Sequence, residues 1–484
     1  RRPSRKKSFG VQAFTASAQK VILLFRGIIF VPLYLSLLGP RLYGLWLATG
    51  GVLSWLTMVD IGVASLMVQR VSKYYGENDL RRVGQYFLYS VLLFGIASAL
   101  VLVLGLGISW KLPEIIGARQ QELEVVRTTF RISVLFTSLA VMNNVLTGFA
   151  NALLRPLVTK TAILVFQSAG LITTYLLLLS GAGLPALPLG FLLGELGVFV
   201  TSLLYCVFCL GKHRIPLSRD RGILKELLKL SPFMALAKMG NHFVKRIEPT
   251  IIAMMISPEL AAAFSITRRA GDFVAQFATI PANSSFSAFS HLFGEGNEKK
   301  IRLILKRYLS VSMLTVAGAL TSYVYFNRSF VTLWVGEREY LGYGVTFMTA
   351  VGLAFRVFQT GFYRLNLASG NITRPSLIFA AETVVRVLLM ISFLNMFGMV
   401  GLPAGMFVSC ALGAVALAAV FLRMPSVSLD ARIPQLLSGI SVFSILLLIA
   451  GPTSSILADW IDTWGKFAAA VIVALGAGSI MAIG

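Results

Sequence analysis

Long apolar stretches follow one another along the whole chain, and short segments rich in Gly, Pro, Lys and Arg separate them. A helix that crosses a bilayer needs about 20 predominantly apolar residues. Fourteen stretches meet this requirement, and they lie at residues 12–38, 43–69, 84–109, 128–150, 157–179, 186–210, 231–256, 260–290, 302–326, 343–369, 373–395, 399–421, 434–451 and 466–484. The pattern predicts an all-α integral membrane protein with fourteen transmembrane helices.

Composition agrees with this prediction. Of 484 residues, 56% are hydrophobic and only 13% are charged, whereas about a quarter of the residues of a soluble domain are charged. The formal net charge of +23 would fit a nucleic-acid-binding protein, but in so apolar a chain it is better explained by cations collected in the loops of one membrane face. We therefore expect no nucleic-acid partner.

The lysines and arginines of the predicted loops are distributed unequally between the two faces. One face would hold the basic tail at residues 1–7 and the cation-rich loops at 70–82, 155–160, 212–229, 299–307, 374 and 423–432. The other face would hold Arg41, Lys111, Arg119, Arg127, Arg328, Arg338 and Lys466. Because cytoplasmic loops carry the excess of Lys and Arg, this distribution predicts that both termini are cytoplasmic.

Several short motifs recur at one spacing. LLGPRL at Leu37–Leu42 corresponds to MISPEL at Met255–Leu260, YYGEND at Tyr74–Asp79 to LFGEGN at Leu292–Asn297, and GLPA occurs at Gly183–Ala186 and at Gly401–Ala404. Each pair is 218 residues apart, which indicates an internal duplication of six helices. We expect a basic tail at 1–11, an N-terminal lobe at 12–218, a C-terminal lobe at 219–433 and two further helices at 434–484. The lobes would be related by a pseudo-two-fold axis along the membrane normal, with a substrate cavity between them.

Ionisable side chains occur inside the predicted spans, where they are costly unless they face protein or water. The cations are Arg26, Arg131, Lys238, Lys245, Arg246, Arg268, Arg269, Arg356, Arg364 and Arg386, and the anions are Asp60, Glu195, Glu248, Asp272 and Glu382. Helical spacing places Arg268 beside Asp272 and Glu382 beside Arg386, so each pair is a candidate for internal neutralisation. The cations outnumber the anions, which predicts a net-positive interior.

Other polar residues share one face of their helices. Lys238, His242 and Lys245 stand at i, i+4 and i+7 in the seventh span. Similar stripes contain Gln19 with Arg26 in the first span and Asn144 with Asn151 in the fourth. These faces are candidates for lining a cavity, and a cationic cavity with amide groups suits an anionic, polyhydroxylated substrate because phosphate accepts hydrogen bonds from Arg and Lys.

The segment from Leu37 to Phe87 contains a G-P-x-x-Y-G-x-W turn, the pair Asp60 and Gly62, and a K-Y-x-x-x-x-D loop. With these motifs the chain resembles the Wzx-type polysaccharide flippases (O-antigen and exopolysaccharide) of the polysaccharide transport family, in the MOP exporter superfamily. The resemblance implies the flipping of an undecaprenyl-diphosphate-linked oligosaccharide across the bacterial inner membrane by alternating access.

The resemblance also implies a central cationic cavity, with surrounding membrane lipids and polysaccharide polymerase or chain-length machinery as partners. The candidate cavity residues are Arg26, Lys238, His242, Lys245, Arg268, Arg269 and Arg356. Asp60 and Glu195 are candidates for ion coupling, because each stands alone in an apolar span. No P-loop is present in the sequence, so ATP is not the expected energy source.

Alternative functions remain open at this point. A lipid II flippase of the same superfamily fits nearly as well, and a MATE-like drug/cation antiporter fits less well because its cavity would need acidic residues. A membrane polysaccharide polymerase or glycosyltransferase would need a larger extramembrane segment with carboxylates or His. The three histidines show no metal-ligand spacing, and the spacing of Cys206 and Cys209 within an apolar run is interpreted as two small residues on one helix face, so no metal site is expected. We also expect no cofactor and no catalytic residue.

Overall fold

The computed structural model describes residues 5–57, 63–153, 157–229, 244–295, 298–371, 373–424, 453 and 456–472. For residues 5–26 and 244–246, and for 283, 284, 287 and 288, it describes the backbone alone. The described chain is helical and contains no strand. It divides into two compact units, Arg1–Ala261 and Ala262–Gly484.

The first unit begins with α1 (Arg5–Leu56), which is interrupted at Gly39, where φ is 76° and ψ is 164°. Only glycine adopts this conformation without strain, so the chain forms two helices that meet at a kink, as the first two predicted spans require. The following helices are α2 (Val63–Gly76), α3 (Leu80–Ile108), the short α4 (Leu112–Ile115), α5 (Leu123–Ala152), α6 (Leu157–Leu179), α7 (Ala186–Lys212), α8 (221–229), α9 (Val244–Met255) and α10 (Pro258–Ala278), which continues into the second unit.

The second unit contains α11 (Ile280–Glu295), α12 (Glu298–Val335), α13 (Tyr343–Ala368), α14 (Thr373–Phe397) and α15 (Gly401–Leu422), followed by short helices at 456–460 and 464–472. The predicted span 260–290 is therefore divided between α10 and α11, with a turn at Thr279. The predicted span 302–326 is part of a longer helix, α12, of 38 residues. Hydropathy identifies only the apolar middle of this helix, because its first turns are rich in Lys and Arg.

Helix length and hydropathy agree with a membrane location. Within the described residues, eight helical stretches are long and apolar enough to span a bilayer: Gly27–Leu56, Leu80–Ile108, Gln120–Ala152, Leu157–Leu179, Ala186–Lys212, Glu298–Val335, Tyr343–Ala368 and Thr373–Leu422. Many of their large apolar side chains are exposed, including Val103 and Leu204. Since a soluble protein would bury such continuous apolar faces, the chain is a multi-pass membrane protein.

Small residues allow close helix packing in each unit. In the first unit α7 packs against α5 and α6. A Cβ atom added at Gly170 or at Gly190 would lie 2.4 Å from the carbonyl oxygen of the other residue, so only glycine fits at this crossing. In the second unit α15 packs in the same way against α13 and α14.

One arginine fixes the turn between the two parts of α1. The Arg41 guanidinium donates hydrogen bonds to Glu122 Oε1 (2.7 Å), Glu122 Oε2 (3.0 Å), Glu259 Oε1 (2.9 Å) and the carbonyl oxygen of Gly117 (2.9 Å). Arg41 and Glu259 are 218 residues apart, so they occupy equivalent positions of the sequence repeat. Burial raises the pKa of Glu259, but the hydrogen bonds from Arg41 and Ser257 and the positive charge of Arg41 together outweigh burial, so the pKa lies below its usual value. The contact ties the start of α10 to the turn at Pro40.

Candidate functional site

An ion pair is fully buried within α14. Arg386 Nε donates to Glu382 Oε1 at 2.8 Å and its Nη2 donates to Glu382 Oε2 at 2.6 Å, and the two side chains are only 2% and 4% exposed. Arg386 Nη2 also donates to Gln359 Oε1 of α13 at 3.3 Å. A Cβ atom at Gly413 of α15 would lie 2.5 Å from Gln359 Nε2, so this glycine leaves room for the polar cluster. The predicted i, i+4 pair is present, and it neutralises Arg386 internally.

A second pair lies on α10. Arg268 Nε is 3.1 Å from Asp272 Oδ2, and its Nη2 donates to Asp272 Oδ1 at 3.3 Å. The Arg268 side chain is 5% exposed and that of Asp272 36%. Arg269, the next residue, has an exposed side chain, because successive residues of a helix point about 100° apart. Arg268 and Arg269 therefore do not act as an equivalent pair.

Arg356 of α13 differs from both paired arginines. It lies one helical turn before Gln359 and is partly buried. The positive charges of Arg386 and Arg268 repel it, and the negative charge of Asp272 attracts it. Among the described residues no carboxylate forms an ion pair with Arg356. Its position therefore leaves a net positive charge in the polar interior of the second unit.

Glu195 is the one acid of α7, but amide side chains of two neighbouring helices contact it. Asn143 Nδ2 of α5 donates to Glu195 Oε2 at 2.7 Å and to the Glu195 carbonyl oxygen at 3.1 Å. Gln167 of α6 also interacts with the carboxyl group. The Asn143 side chain is 5% exposed, and its Oδ1 is buried without a partner among the described residues. The first unit therefore holds an acidic site between α5, α6 and α7.

The fourth-span stripe does not form one common surface. Asn144 is exposed and Asn151 is half-buried, but Gly148 between them faces Met67 and Val68 of α2. The adjacent residue, Asn143, makes the polar contact to Glu195 of α7 instead. Sequence analysis missed Asn143, Gln167 and Gln359. No signal in the sequence marks them, because the sequence does not show which helices are neighbours.

Other candidates cannot be placed by side-chain contacts. Lys238, His242 and Asp60 lie outside the described residues, and the structure describes only the backbone of Gln19, Arg26 and Lys245. Their roles stay predictions.

Metal chemistry has no evident site in the described part of the chain, where no three His, Cys, Asp or Glu residues are grouped for a metal ion. The Cys206 thiol is buried and donates to the Leu146 carbonyl oxygen at 3.4 Å.

Comparison with known proteins identifies structures that share this fold. Residues 43–176 match the MatE family profile, and no curated protein sequence matches the chain significantly. An inward-facing multidrug resistance MATE family transporter of the MOP superfamily superposes with a TM-score of 0.66 at 15% identity, covering 86% of this chain and 93% of that one. The lipid II flippase MurJ in its inward closed conformation gives 0.63 at 14% identity, covering 93% and 99%.

An outward-facing MATE family transporter gives a TM-score of 0.54 at 16% identity, covering 91% of this chain and 93% of that one. These identities establish similarity of fold. The predicted fold class is therefore confirmed: this is an all-α multi-pass membrane protein with the fold of MATE transporters and the flippase MurJ, and the MatE match covers residues 43–176.

Proposed function

We propose that the chain is a transporter that moves a diphosphate-linked, lipid-anchored oligosaccharide from the cytoplasmic to the periplasmic leaflet by alternating access. The observation that carries this proposal is Arg356, a partly buried cation with no ion-pair partner among the described residues. A charge within a membrane span costs about 2.5–3.5 kcal/mol on insertion scales. A buried charge with this cost indicates a functional role, and a phosphate group of the substrate would neutralise the Arg356 charge during transport.

Arg386 and Arg268 each have an ion-pair partner of the kind that Arg356 lacks among the described residues. Arg386 has a carboxylate and an amide within hydrogen-bond distance, and Arg268 has a carboxylate. Neither needs a substrate to neutralise it. The guanidinium groups of Arg386 and Arg268 still raise the electrostatic potential at Arg356. This potential favours the binding of an anion there and disfavours the binding of a cation.

The test is transport in proteoliposomes. The parent protein should translocate a fluorescent undecaprenyl-diphosphate oligosaccharide, and Arg356→Gln should reduce the rate at least about tenfold, since a hydrogen bond to a charged group contributes about 1.5–3 kcal/mol. Arg364→Gln is the matched control, because Arg364 lies two turns further along the same helix and is also partly buried. Equal loss in both variants, or no loss in either, would contradict the proposal.

The same assay distinguishes the alternatives. Lipid II as the preferred cargo would identify a lipid II flippase, and exchange of a lipophilic cation for protons would identify an antiporter. The second alternative has its own support in the MatE match and in the buried Glu195 with its amide partner. Ion coupling through Glu195 is compatible with either cargo, and Asp60 stays a second candidate.

The remaining parts of the proposal rest on the sequence. We place both termini in the cytoplasm on the distribution of Lys and Arg, and we place the protein in the bacterial inner membrane because the resemblance to polysaccharide flippases implies it. Arg26, Lys238, His242, Lys245 and Arg269 are proposed to complete the cationic path, and Arg268, which pairs with Asp272, to add positive potential beside it. Polysaccharide polymerase or chain-length machinery would receive the cargo at the periplasmic face.

A further inference from the structure

The segment that follows α7 is attached to the first unit along its length. Residues 214–229, called the strap below, run beside α2 and α3. Gln85 Nε2 donates to Ser218 Oγ at 3.0 Å, and the backbone N–H of Asp220 donates to the Tyr89 hydroxyl at 3.0 Å. Near the end of the strap, Glu226 accepts from the Tyr86 hydroxyl at 2.6 Å. One side of the strap is therefore held against α2 and α3 by hydrogen bonds and an ion pair.

Apolar packing reinforces these hydrogen bonds. Ile215, Ile223 and Leu227 are buried, with exposures of 6%, 7% and 0%. The Pro216 carbonyl oxygen approaches α3 so closely that a Cβ atom at Gly84 would lie 2.0 Å from it. A segment held in this way presents its remaining side chains in fixed positions.

The opposite side of the strap is strongly basic. Its exposed cations are Arg214, Arg219, Arg221, Lys225 and Lys229. None of them forms an ion pair with another described residue. Of the two acids of the strap, Glu226 pairs with Arg70 of α2 at 2.5 Å, whereas the exposed Asp220, whose Oδ1 accepts from the Gly222 N–H at 2.8 Å, offsets one of the five positive charges. The exposed side therefore carries a net positive charge.

Two exposed leucines lie among these cations. Leu217 is 53% exposed and Leu228 is 48% exposed. Cations interspersed with exposed apolar side chains are typical of a segment that lies in the interface of a bilayer.

The end of α7 shows that this interface is close. Its last turns expose Leu204 (65%), Val207 (59%) and Phe208 (54%), an apolar surface that is suited to contact with acyl chains. Lys212 then lies over the Phe208 ring, with Nζ 5.1 Å from its centroid. Phe208 is the last exposed large apolar side chain of α7, so a lysine over its ring is expected at the boundary between acyl chains and headgroups, and the strap begins two residues later.

We propose that the strap binds the phosphate headgroups of anionic lipids in the adjacent leaflet, with Leu217 and Leu228 entering the acyl boundary. The cations attract the negative surface, and the leucines add contact with the acyl chains. This site is separate from the transport pathway proposed above, and it does not depend on which substrate is carried.

Native mass spectrometry of the full-length protein in micelles with equal amounts of phosphatidylglycerol and phosphatidylcholine tests the proposal. The parent should retain phosphatidylglycerol preferentially. The variant R219Q/R221Q/K225Q/K229Q should lose at least about tenfold in apparent phosphatidylglycerol affinity, since each cation near an anionic surface contributes roughly fivefold. Leu217→Ser with Leu228→Ser should weaken retention of both lipids.

The matched control is K299Q/K300Q/R302Q/K306Q. It removes the same charge from exposed positions of α12 that are predicted to lie on the same membrane face. The control should stay within about threefold of the parent. Equal losses in control and strap variant, unchanged preference in the strap variant, or no preference in the parent would each overturn the proposal. Thermal unfolding of the variants checks that each is folded, and the parent's preference should fall at 1 M salt, because the charges are exposed.

Discussion

Removing Arg386 alone should destabilise the protein strongly, because its partner would be left charged and buried. In the parent, Arg386 and Glu382 are 2% and 4% exposed and share two hydrogen bonds of 2.6 and 2.8 Å. Breaking a buried pair by removing one partner costs about 3–5 kcal/mol. Arg386→Met should lower the free energy of unfolding by this amount, which corresponds to roughly a hundredfold to several thousandfold change in the unfolding equilibrium.

Removing both partners should cost much less. Replacement of a buried ion pair by apolar residues of similar volume is often neutral or stabilising. The double variant Glu382→Leu/Arg386→Met should therefore be close to the parent, while Glu382→Leu alone should be destabilised. The resulting coupling energy would be several kcal/mol, well above the few tenths found for independent sites.

Equilibrium unfolding in mixed detergent and dodecyl sulfate micelles measures these differences, with tryptophan fluorescence as the signal. The chain contains six tryptophans, so a signal is available without labelling. A single variant within about 0.5 kcal/mol of the parent would refute the claim that the pair is buried and coupled. A double variant as unstable as the single variant would do the same.

Three further predictions follow from other contacts. Arg41→Glu should destabilise the turn that it fixes, and adding Glu259→Arg should restore part of the loss in a thermal unfolding assay. Because the pKa of Glu259 is lowered, this contact contributes fully at neutral pH and is lost as the pH falls below about 4, so the effect of Arg41→Glu should shrink there. Gly413→Ala should displace Gln359 and lower the unfolding temperature, whereas the same change at the uncrowded Gly318 should not. Glu195→Gln should abolish the dependence of transport on an imposed proton or cation gradient while leaving the protein folded; unchanged coupling would exclude Glu195 as the coupling site.

Much of the fold follows from local sequence properties. The span predicted at 157–179 has the same bounds as α6, because Pro156 before it and Gly181 after it delimit an uninterrupted apolar run. The kink at Gly39 follows from a Gly-Pro pair, and the pairs Arg268–Asp272 and Glu382–Arg386 follow from helical spacing. Each of these features depends on residues close together in sequence.

Contacts between helices could not be predicted in this way. The stripe at Asn144 and Asn151 assumes a rotation of α5 about its axis, but the sequence does not show which neighbour each face meets. In the structure Asn143, about 100° away, contacts Glu195, which is 52 residues further along the chain. Gln359 likewise accepts a hydrogen bond from Arg386, which is 27 residues further along the chain, because α13 packs against α14. The sequence singled out Glu195 as an acid alone in an apolar span, but only packing identified its partner.

Binding of the cargo headgroup to purified protein tests the central claim most directly. The account predicts that the parent binds an undecaprenyl-diphosphate oligosaccharide at least tenfold more tightly than Arg356→Gln does, while Arg364→Gln binds like the parent. It also predicts that a lipophilic cation does not compete. A cation that displaces the diphosphate lipid, together with unchanged affinity in Arg356→Gln, would contradict the account.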